Sequence, residues 1–307
     1  MKAAQIKEYG HADAVALTEV EVPQAVAGKV LVEVYASSIN PVDTIVREGM
    51  MKVAALPVTL GGDIAGVIAQ SSVADFSVGD KVYGQASALA GNSGAFAEFA
   101  VTTPAQLAKM PSNISFEQAA SLPLVGVSAL QALTDHLNLQ SGQKLFIHGG
   151  AGGIGSVAIQ IAKHIGAHVT TTATGEGVDF VKKLGADEVI DYKVQQFEAV
   201  LSDYDAVFDT VGGDDFSKAL HVLRAGGVAV SMVAAADEEE VKTLGVTAIR
   251  QLTQVTNDKL AELAKLVETE VVTPQVDTVF PLDQIQQAFE ARESGRVHGK
   301  VVILIKR

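Results

Sequence analysis

The segment of residues 144–155 reads Lys-Leu-Phe-Ile-His-Gly-Gly-Ala-Gly-Gly-Ile-Gly and is the most informative part of the chain. It begins with a short apolar strand, Lys144–His148, and leads into Ile154–Ile165, whose apolar residues recur at helical spacing. Between strand and helix lies the pattern Gly-x-Gly-x-x-Gly, which lets a dinucleotide pyrophosphate approach backbone N–H groups at a helix N-terminus. The pattern predicts a dinucleotide-binding loop rather than a turn with only a packing role, and its cofactor-binding residues are Gly150, Gly152, Gly153, Ile154 and Gly155.

Strands and helices alternate on both sides of this loop. His168–Ala173 and Val228–Val233 read as strands, and Val178–Leu184 reads as a helix that ends at a glycine. Such alternation predicts a parallel, doubly wound sheet. Residues 1–115 instead have the pattern of short strands separated by Gly and Pro, which predicts a β-barrel-like module. The C-terminal tail has a similar strand-bearing pattern.

These differences in the pattern of strands and helices predict three segments. Residues 1–120 form a substrate and catalytic domain, residues 121–260 form the nucleotide domain, and residues 261–307 return to the catalytic domain. The run Asp237-Glu238-Glu239-Glu240 is interpreted as a solvated helix start rather than a binding patch.

Composition limits the range of functions. The 307 residues carry 23 Lys and Arg against 36 Asp and Glu, a net charge of −13 that repels phosphate backbones and anionic membranes, so no nucleic-acid or membrane partner is expected. The absence of cysteine excludes disulfides, Fe–S clusters, thiolate zinc sites and Cys nucleophiles. No targeting segment opens the chain and no uncharged window of 18 apolar residues occurs, so a cytoplasmic protein is expected.

The end of the second strand bears on the choice of nicotinamide cofactor. An NAD site usually has an acidic residue about 20 residues beyond the glycine pattern, where it binds the ribose hydroxyls. This chain has Thr170-Thr171-Thr172-Ala173-Thr174-Gly175 there. A small, hydroxyl-rich strand end leaves room for a 2′-phosphate, so NADPH is predicted, with Thr172 and Thr174 as binding residues.

Further motifs follow one another in a characteristic order, and they are Ser38-Ile39-Asn40-Pro41-Val42-Asp43, Gly61-Gly62-Asp63-Ile64-Ala65-Gly66, Val78-Gly79-Asp80-Lys81-Val82, Asp209-Thr210-Val211-Gly212-Gly213 and Gly299-Lys300-Val301-Val302. With these motifs the chain resembles, over essentially its full length, the zinc-independent quinone oxidoreductases of the medium-chain dehydrogenase/reductase superfamily, the group that includes zeta-crystallin. The resemblance implies an α/β fold with a Rossmann domain, its parallel sheet doubly wound, plus a GroES-like, β-barrel-type domain. It also implies NADPH as cofactor.

The resemblance further implies the chemistry. Zinc-dependent members of the superfamily carry Cys at the position of Asn40 and His at the position of Gly62, so no catalytic metal is expected here. Without a Lewis acid, an ordinary alcohol is a poor substrate, whereas a quinone or an α,β-unsaturated carbonyl accepts hydride directly from a nicotinamide. The catalytic candidates are Asn40, whose amide could donate to a developing oxyanion, and Asp43, which either takes part or anchors its own loop.

Other site residues are carried over from the family. Met50 and Met51 stand near the place where many relatives have a tyrosine, and would give the substrate an adaptable apolar wall. The implied cofactor contacts are Ser128, Tyr192, Val211, Gly212, Ser231, Val233 and Lys300. Relatives are often homodimers joined through sheet edges. Residues 228–233 could form such an edge, although a buried central strand would read identically.

Two other functions are also compatible with the sequence. The first is an enoyl-thioester reductase of the same superfamily, disfavoured by the missing tyrosine and by the lack of a basic patch for an acyl carrier. The second is a protein that binds NADPH without turnover, such as a sensor or a crystallin. Cofactor binding without hydride transfer to any quinone or enone would favour the second.

Overall fold

The computed structural model describes residues 1–52 and 55–306. The strands are β1 (Lys2–Ile6), β2 (Val15–Glu19), β3 (Val30–Ser38), β4 (Val58–Thr59), β5 (Asp63–Ser71), β6 (Lys81–Gln85), β7 (Phe99–Thr102), β8 (Leu107–Lys109), β9 (Lys144–His148), β10 (His168–Ala173), β11 (Glu188–Asp191), β12 (Tyr204–Asp209), β13 (Leu223–Ser231), β14 (Thr247–Arg250), β15 (Val276–Pro281) and β16 (Lys300–Leu304). The α-helices are α1 (Pro41–Arg47), α2 (Phe116–Ala120), α3 (Pro123–Leu130), α4 (Gly153–Ile165), α5 (Glu176–Lys183), α6 (Asp214–Leu220), α7 (Glu238–Leu244), α8 (Asn257–Glu268) and α9 (Ile285–Glu293).

The chain divides into two compact units. The first unit contains residues 1–124, 255–270 and 274–307, and the second contains residues 125–254 and 271–273. Within the described residues, no helix is long and apolar enough to cross a membrane.

The second unit is built on a parallel sheet with strand order β11-β10-β9-β12-β13-β14. Counted from β9 this order is 3-2-1-4-5-6, the arrangement of doubly wound dinucleotide-binding domains. The central strand β9 is buried except at Lys144, as expected for a strand covered on both faces. Helix α4 follows β9 after a four-residue turn and ends at Gly166, whose φ of 94° places it in the left-handed region that glycine tolerates.

The first unit is largely antiparallel. One sheet has the order β15-β16-β3-β5-β6-β8, with β7 also paired to β3, and a second sheet joins β2, β1 and β4. The β3–β5 pairing is irregular at two places, where the register shifts and the strands bend. Phe96 and Phe289 meet edge to face in one of its cores, with ring centroids 6.1 Å apart.

Several sequence expectations agree with this architecture. The expected strand His168–Ala173 is observed with those bounds. Helix α7 begins after Asp237, whose side chain accepts the N–H of Glu240 at 2.9 Å, so the acidic run is a helix start, as interpreted. Ser115 and Gln118 form a reciprocal capping box at the start of α2.

Other parts of the fold differ from the expectation or were not predicted. Helix α3 begins at Pro123 and gives way to a π-helical turn over Gln131–His136. Residues 228–233 lie mainly in β13, which pairs with both β12 and β14, so of the two alternatives given for this segment the structure has the central strand and not the sheet edge. The outer position on that side belongs to β14, and neither β14 nor α8 was predicted.

Candidate functional site

The glycine-rich loop lies at the carboxyl end of β9, and the three glycines of its pattern differ in their steric surroundings. A Cβ on Gly150 would overlap the side chain of Thr171, and a Cβ on Gly155 would overlap the backbone of Gly149 and Gly150. A Cβ on Gly152 would meet only the Gly149 carbonyl oxygen, at 3.6 Å. The first and third glycines therefore allow close packing, whereas the middle one leaves open space beside the N-terminus of α4.

This geometry fits the diphosphate of a dinucleotide. Gly152 is the N-cap of α4, so the backbone N–H groups of the first turn stand beside the open space. Gly153 and Ile154 are the first two helical residues. A methyl group at position 152 would fill that space, as expected where a ligand approaches the main chain closely.

The loop is held from below by the neighbouring strand β10. The buried hydroxyl of Thr172 accepts the Gly149 N–H at 3.0 Å, and the Thr172 carbonyl accepts the Gly150 N–H at 3.2 Å. The structure thus places Thr172 under the loop. Thr174 follows the strand and is partly exposed, and the exposed Glu176 opens α5 two residues later.

Asp209, at the carboxyl end of β12, joins this loop to the two that follow β12 and β13. Its Oδ1 accepts from His148 Nδ1 at 3.0 Å and from the N–H groups of Val211 and Gly212 at 3.1 Å, and its Oδ2 accepts from the Ser231 hydroxyl at 2.6 Å. Burial alone would raise the pKa of Asp209, but these hydrogen bonds hold that pKa below its usual value.

The remaining residues predicted in the second unit occupy varied positions. Ser128 is buried in α3, where its hydroxyl lies 2.7 Å from that of Thr253. Ser231 Oγ accepts the N–H of Val233 at 3.1 Å. The side chains exposed after their strands are those of Tyr192, Val211 and Val233.

In the first unit, Asn40 and Lys300 form a buried polar cluster with Asp63. Lys300 Nζ donates to Asn40 Oδ1 at 2.6 Å and to the Ile39 carbonyl at 2.7 Å, while Asn40 Nδ2 donates to Asp63 Oδ2 at 2.8 Å. Asp63 also accepts from Gln85 Nε2 at 3.0 Å. Burial lowers the pKa of Lys300 to about 8, against the opposing effects of Asp63 and Asp43, and burial raises the pKa of Asp63.

Of the other predicted residues of this unit, Asp43 lies in α1, and Met50 and Met51 follow the end of that helix. Asp43 is buried and accepts the Asn40 N–H at 2.8 Å, so it anchors the start of its own helix, one of the two roles considered for it. Burial raises the pKa of Asp43 to about 7, a shift to which the nearby charge of Asp63 adds. Met50 and Met51 are exposed, with 68% and 44% of their surface accessible.

Within each unit, the structure links several of the predicted residues by hydrogen bonds. Asn40, Asp43 and Lys300 are linked in the first unit, and the glycine loop, Thr172, Gly212 and Ser231 are linked in the second. Lys300, predicted among the cofactor residues, has its ammonium group directed at Asn40. Across residues 1–52 and 55–306, no group of three His, Asp or Glu side chains is arranged to hold a metal ion.

Sequence reasoning missed Asp63, Asp209 and His148 as site residues. All three lie in or beside one of the sequence motifs given above. The signal that could have identified them is a charged or polar residue next to the end of a buried strand. The pairing of His148 with Asp209, and of Asp63 with Asn40, depends on strand neighbours distant in the sequence.

A dinucleotide-type parallel sheet combined with an antiparallel GroES-like unit defines a medium-chain dehydrogenase/reductase. Residues 26–112 match the family described as the alcohol dehydrogenase GroES-like domain, and residues 184–303 match the family described as zinc-binding dehydrogenase. The chain belongs to this superfamily, within its quinone oxidoreductase group, and the predicted family and fold class are confirmed.

Named relatives make the comparison more specific. The chain is 35% identical to the NADPH-dependent alkenal/one oxidoreductase of Arabidopsis thaliana chloroplasts, over 99% of its own length and 79% of the relative's. Among solved structures, it is similar to the quinone oxidoreductase of Coxiella burnetii, at 32% identity and a TM-score of 0.90, over 100% of this chain and 99% of that one. It is also similar to the Escherichia coli quinone oxidoreductase complexed with NADPH, at 26% identity and a TM-score of 0.91, over 99% and 100% of the two chains.

Proposed function

We propose that this protein is an NADPH-dependent reductase that transfers hydride to quinones or α,β-unsaturated carbonyls. The observation that carries the proposal is the loop of Gly150, Gly152 and Gly155 at the carboxyl end of β9, with open space beside the main chain at the helix N-terminus. The relatives named as NADPH-dependent alkenal/one and quinone oxidoreductases support the same chemistry. NADPH, when bound, supplies the hydride.

In this proposal the second unit binds the cofactor. The N–H groups at the start of α4 would bind the diphosphate, with Gly153 and Ile154 supplying the first of them. Ser128, Thr174, Tyr192, Val211 and Val233 stay predicted contacts with the cofactor. The hydrogen bonds of Thr172, Gly212 and Ser231 fix the loops that would bind the cofactor. Direct contacts of these three residues with the cofactor also stay predictions.

The first unit would contact the substrate. Asn40 is proposed to orient the acceptor carbonyl. The Asn40 amide oxygen accepts from Lys300, and one amide N–H donates to Asp63. The second amide N–H of Asn40 is therefore the donor proposed for the developing oxyanion. Met50 and Met51 are proposed as an apolar wall. A cytoplasmic location and a homodimer also stay proposals. Light scattering after size exclusion tests the dimer.

The test is a cofactor and acceptor panel. NADPH and NADH oxidation is measured with benzoquinone, naphthoquinone, short enals, short enones, an enoyl thioester and a saturated ketone. The proposal expects turnover of a quinone or an enone with NADPH at a higher kcat/KM than with NADH. Turnover restricted to the saturated ketone, or restricted to the thioester, would contradict the reaction class. NADPH binding without any turnover would instead indicate a sensor or crystallin role.

A variant checks the cofactor preference independently. The exposed carboxylate of Glu176 stands close along the chain to the predicted 2′-phosphate site at Thr174. Glu176→Gln removes a negative charge there, so we expect KM for NADPH to fall more than KM for NADH. The matched control is Glu239→Gln, which removes an exposed charge from the first turn of α7.

A further inference from the structure

The carboxylate of Asp209 occupies a special place in the parallel sheet. In the strand register Asp209 pairs with His148 of β9 on one side and with Ser231 of β13 on the other, and all three are the last residues of their strands. Its two oxygens accept hydrogen bonds from both neighbours and from the loop that follows its own strand. The buried Asp209 carboxylate is therefore hydrogen-bonded at the starts of three loops, which follow the carboxyl ends of the neighbouring strands β9, β12 and β13.

The hydrogen bonds extend one step further on each side. Ser231 Oγ donates to Asp209 and accepts the N–H groups of Val233 and Ala234, at 3.1 and 3.0 Å. On the other side, the carbonyl of His148 accepts the N–H and the hydroxyl of Thr210, at 3.1 and 2.8 Å. The loops after β9, β12 and β13 are thus connected by a hydrogen-bond network that centres on the Asp209 carboxylate.

The same strand carries a comparable carboxylate at its other end. Asp205 accepts the Lys144 N–H at 2.7 Å and Arg224 Nε at 2.8 Å, and so joins β12 to the same two neighbours at their amino ends. Hydrogen bonds hold the pKa of Asp205 below its usual value, against burial, as they do for Asp209. Asp205 and Asp209 therefore link the same strands, but only Asp209 lies at the carboxyl ends, where open α/β sheets bind ligands.

We propose that Asp209 is a positioning residue for the nicotinamide dinucleotide, acting through the three loops that it joins. Its carboxylate holds the entry to the glycine loop at His148, the Val211–Gly212 turn and the Ser231–Ala234 turn in one fixed arrangement. The cofactor then binds to loops that are already ordered, and avoids the free energy that ordering would cost. This inference rests on the proposed function.

Electrostatics alone gives the opposite expectation. A buried negative charge beneath a site for a polyanionic cofactor repels that cofactor, so its removal should tighten binding. If Asp209 acts by holding the loops, its removal weakens binding. The sign of the change in NADPH affinity therefore distinguishes positioning from a simple charge effect.

The experiment compares Asp209→Asn with Asp205→Asn. NADPH dissociation constants are measured by fluorescence titration, and KM for NADPH, KM for the quinone and kcat are measured separately. Asp209→Asn is expected to weaken NADPH binding about tenfold or more, the order expected for loss of one charge-assisted hydrogen bond. KM for the quinone should change little. Asp205→Asn is expected to leave NADPH affinity unchanged, even if both variants lower the melting temperature.

Amide hydrogen exchange in the free protein provides a readout that does not depend on the cofactor. In Asp209→Asn the amides of Val211, Gly212, Val233 and Ala234 should exchange faster, and in Asp205→Asn they should not. If Asp209→Asn does not fold, Ser231→Ala replaces it. That variant should speed exchange at Val233 and Ala234, which lose their acceptor, and should also weaken NADPH binding.

Three outcomes would overturn the inference. They are unchanged or tighter NADPH binding by Asp209→Asn, an equal loss of affinity in Asp205→Asn, or unchanged exchange at the four loop amides. If the wild-type protein does not bind NADPH at all, the proposed function fails and the cofactor part of the inference fails with it. The exchange measurement then still decides whether Asp209 orders the loops.

Discussion

Lys300 Nζ lies 2.6 Å from Asn40 Oδ1, and this contact fixes which way the Asn40 amide faces. An ammonium group only donates hydrogen bonds and an ionised carboxylate only accepts them. The amide oxygen must therefore face Lys300, and the amide nitrogen must face Asp63, 2.8 Å away. Lys300 thus contacts the predicted catalytic residue directly, and its contact with the cofactor stays a prediction.

The first prediction concerns the pair of opposite charges that hold Asn40. Lys300 Nζ and Asp63 Oδ2 are 3.9 Å apart, and both side chains are almost fully buried. We expect Lys300→Met or Asp63→Asn alone to lower the free energy of unfolding by about 3–5 kcal/mol, because each leaves a buried charge without its partner. The double variant should lose much less than the sum of the two, as measured by urea denaturation.

The control for this cycle is an ion pair at the surface. Lys218 and Asp215 lie 2.7 Å apart in α6, with nearly half of each side chain exposed. The corresponding cycle of Lys218→Met and Asp215→Asn should show little coupling. Additive losses at Lys300 and Asp63 would show that the two buried charges do not depend on each other.

The second prediction concerns the pH dependence of stability. Burial, together with the charge of Asp63, raises the pKa of Asp43 to about 7, although the Asn40 N–H, Lys300 and Arg292 oppose the shift. The folded protein therefore keeps a proton on Asp43 that the unfolded chain releases near its usual pKa of 3.8. The free energy of unfolding should fall as pH rises toward 7, by at most about 1.4 kcal/mol per pH unit, and this contribution should level off above 7.

The variant Asp43→Asn isolates this contribution. Its side-chain oxygen can still accept the Asn40 N–H, but it has no proton to lose. Unfolding free energies measured across the range below neutrality should decline less steeply for Asp43→Asn than for the wild type, since histidine titration is common to both. Parallel curves would mean that Asp43 ionises in the folded protein at its ordinary pKa.

The fold was predictable where local pattern and tertiary structure agree. The run Lys144–His148 is apolar, and the glycines after it are needed at those positions, so the central strand and its loop could be read directly. The strand β14 was missed because it has only four residues, none fully buried, and reads as a loop. Helix α8 was missed although Leu260, Leu263 and Val267 recur at helical spacing and are buried.

The site was predictable only in part, for a physical reason. A motif indicates which residue types stand together in sequence, but partners across a sheet are set by strand order and register. Thus Asn40 was identified, whereas Asp63, 23 residues later, was not assigned to it. Likewise Val211 and Gly212 were identified, but Asp209, which binds both of their N–H groups, was not.

The third prediction concerns the hydroxyl beneath the glycine loop. Thr172→Val removes the acceptor of the Gly149 N–H, and a buried donor without a partner costs about 1–3 kcal/mol. We expect lower stability and weaker NADPH binding, because the loop loses its support. The matched control is Thr170→Val in the same strand, where the lost partner is the Tyr204 hydroxyl, 2.7 Å away. That variant should lose stability and keep its NADPH affinity; equal effects on affinity would contradict the assignment.

The last prediction separates the packing glycine of the loop from the one proposed to face the cofactor. Gly152 has φ −77° and ψ 176°, an extended conformation open to any residue, and an added Cβ has free space. Gly152→Ala should therefore change stability by less than about 1 kcal/mol, because the gain through the unfolded state offsets the poorer N-capping by Ala. It should nevertheless weaken NADPH binding, since the methyl group fills the space proposed for the diphosphate.

Gly150→Ala should instead lower the melting temperature, because its Cβ overlaps Thr171. Titration with NADPH and thermal unfolding of both variants test this pair, and full NADPH affinity in a stable Gly152→Ala would place the diphosphate elsewhere.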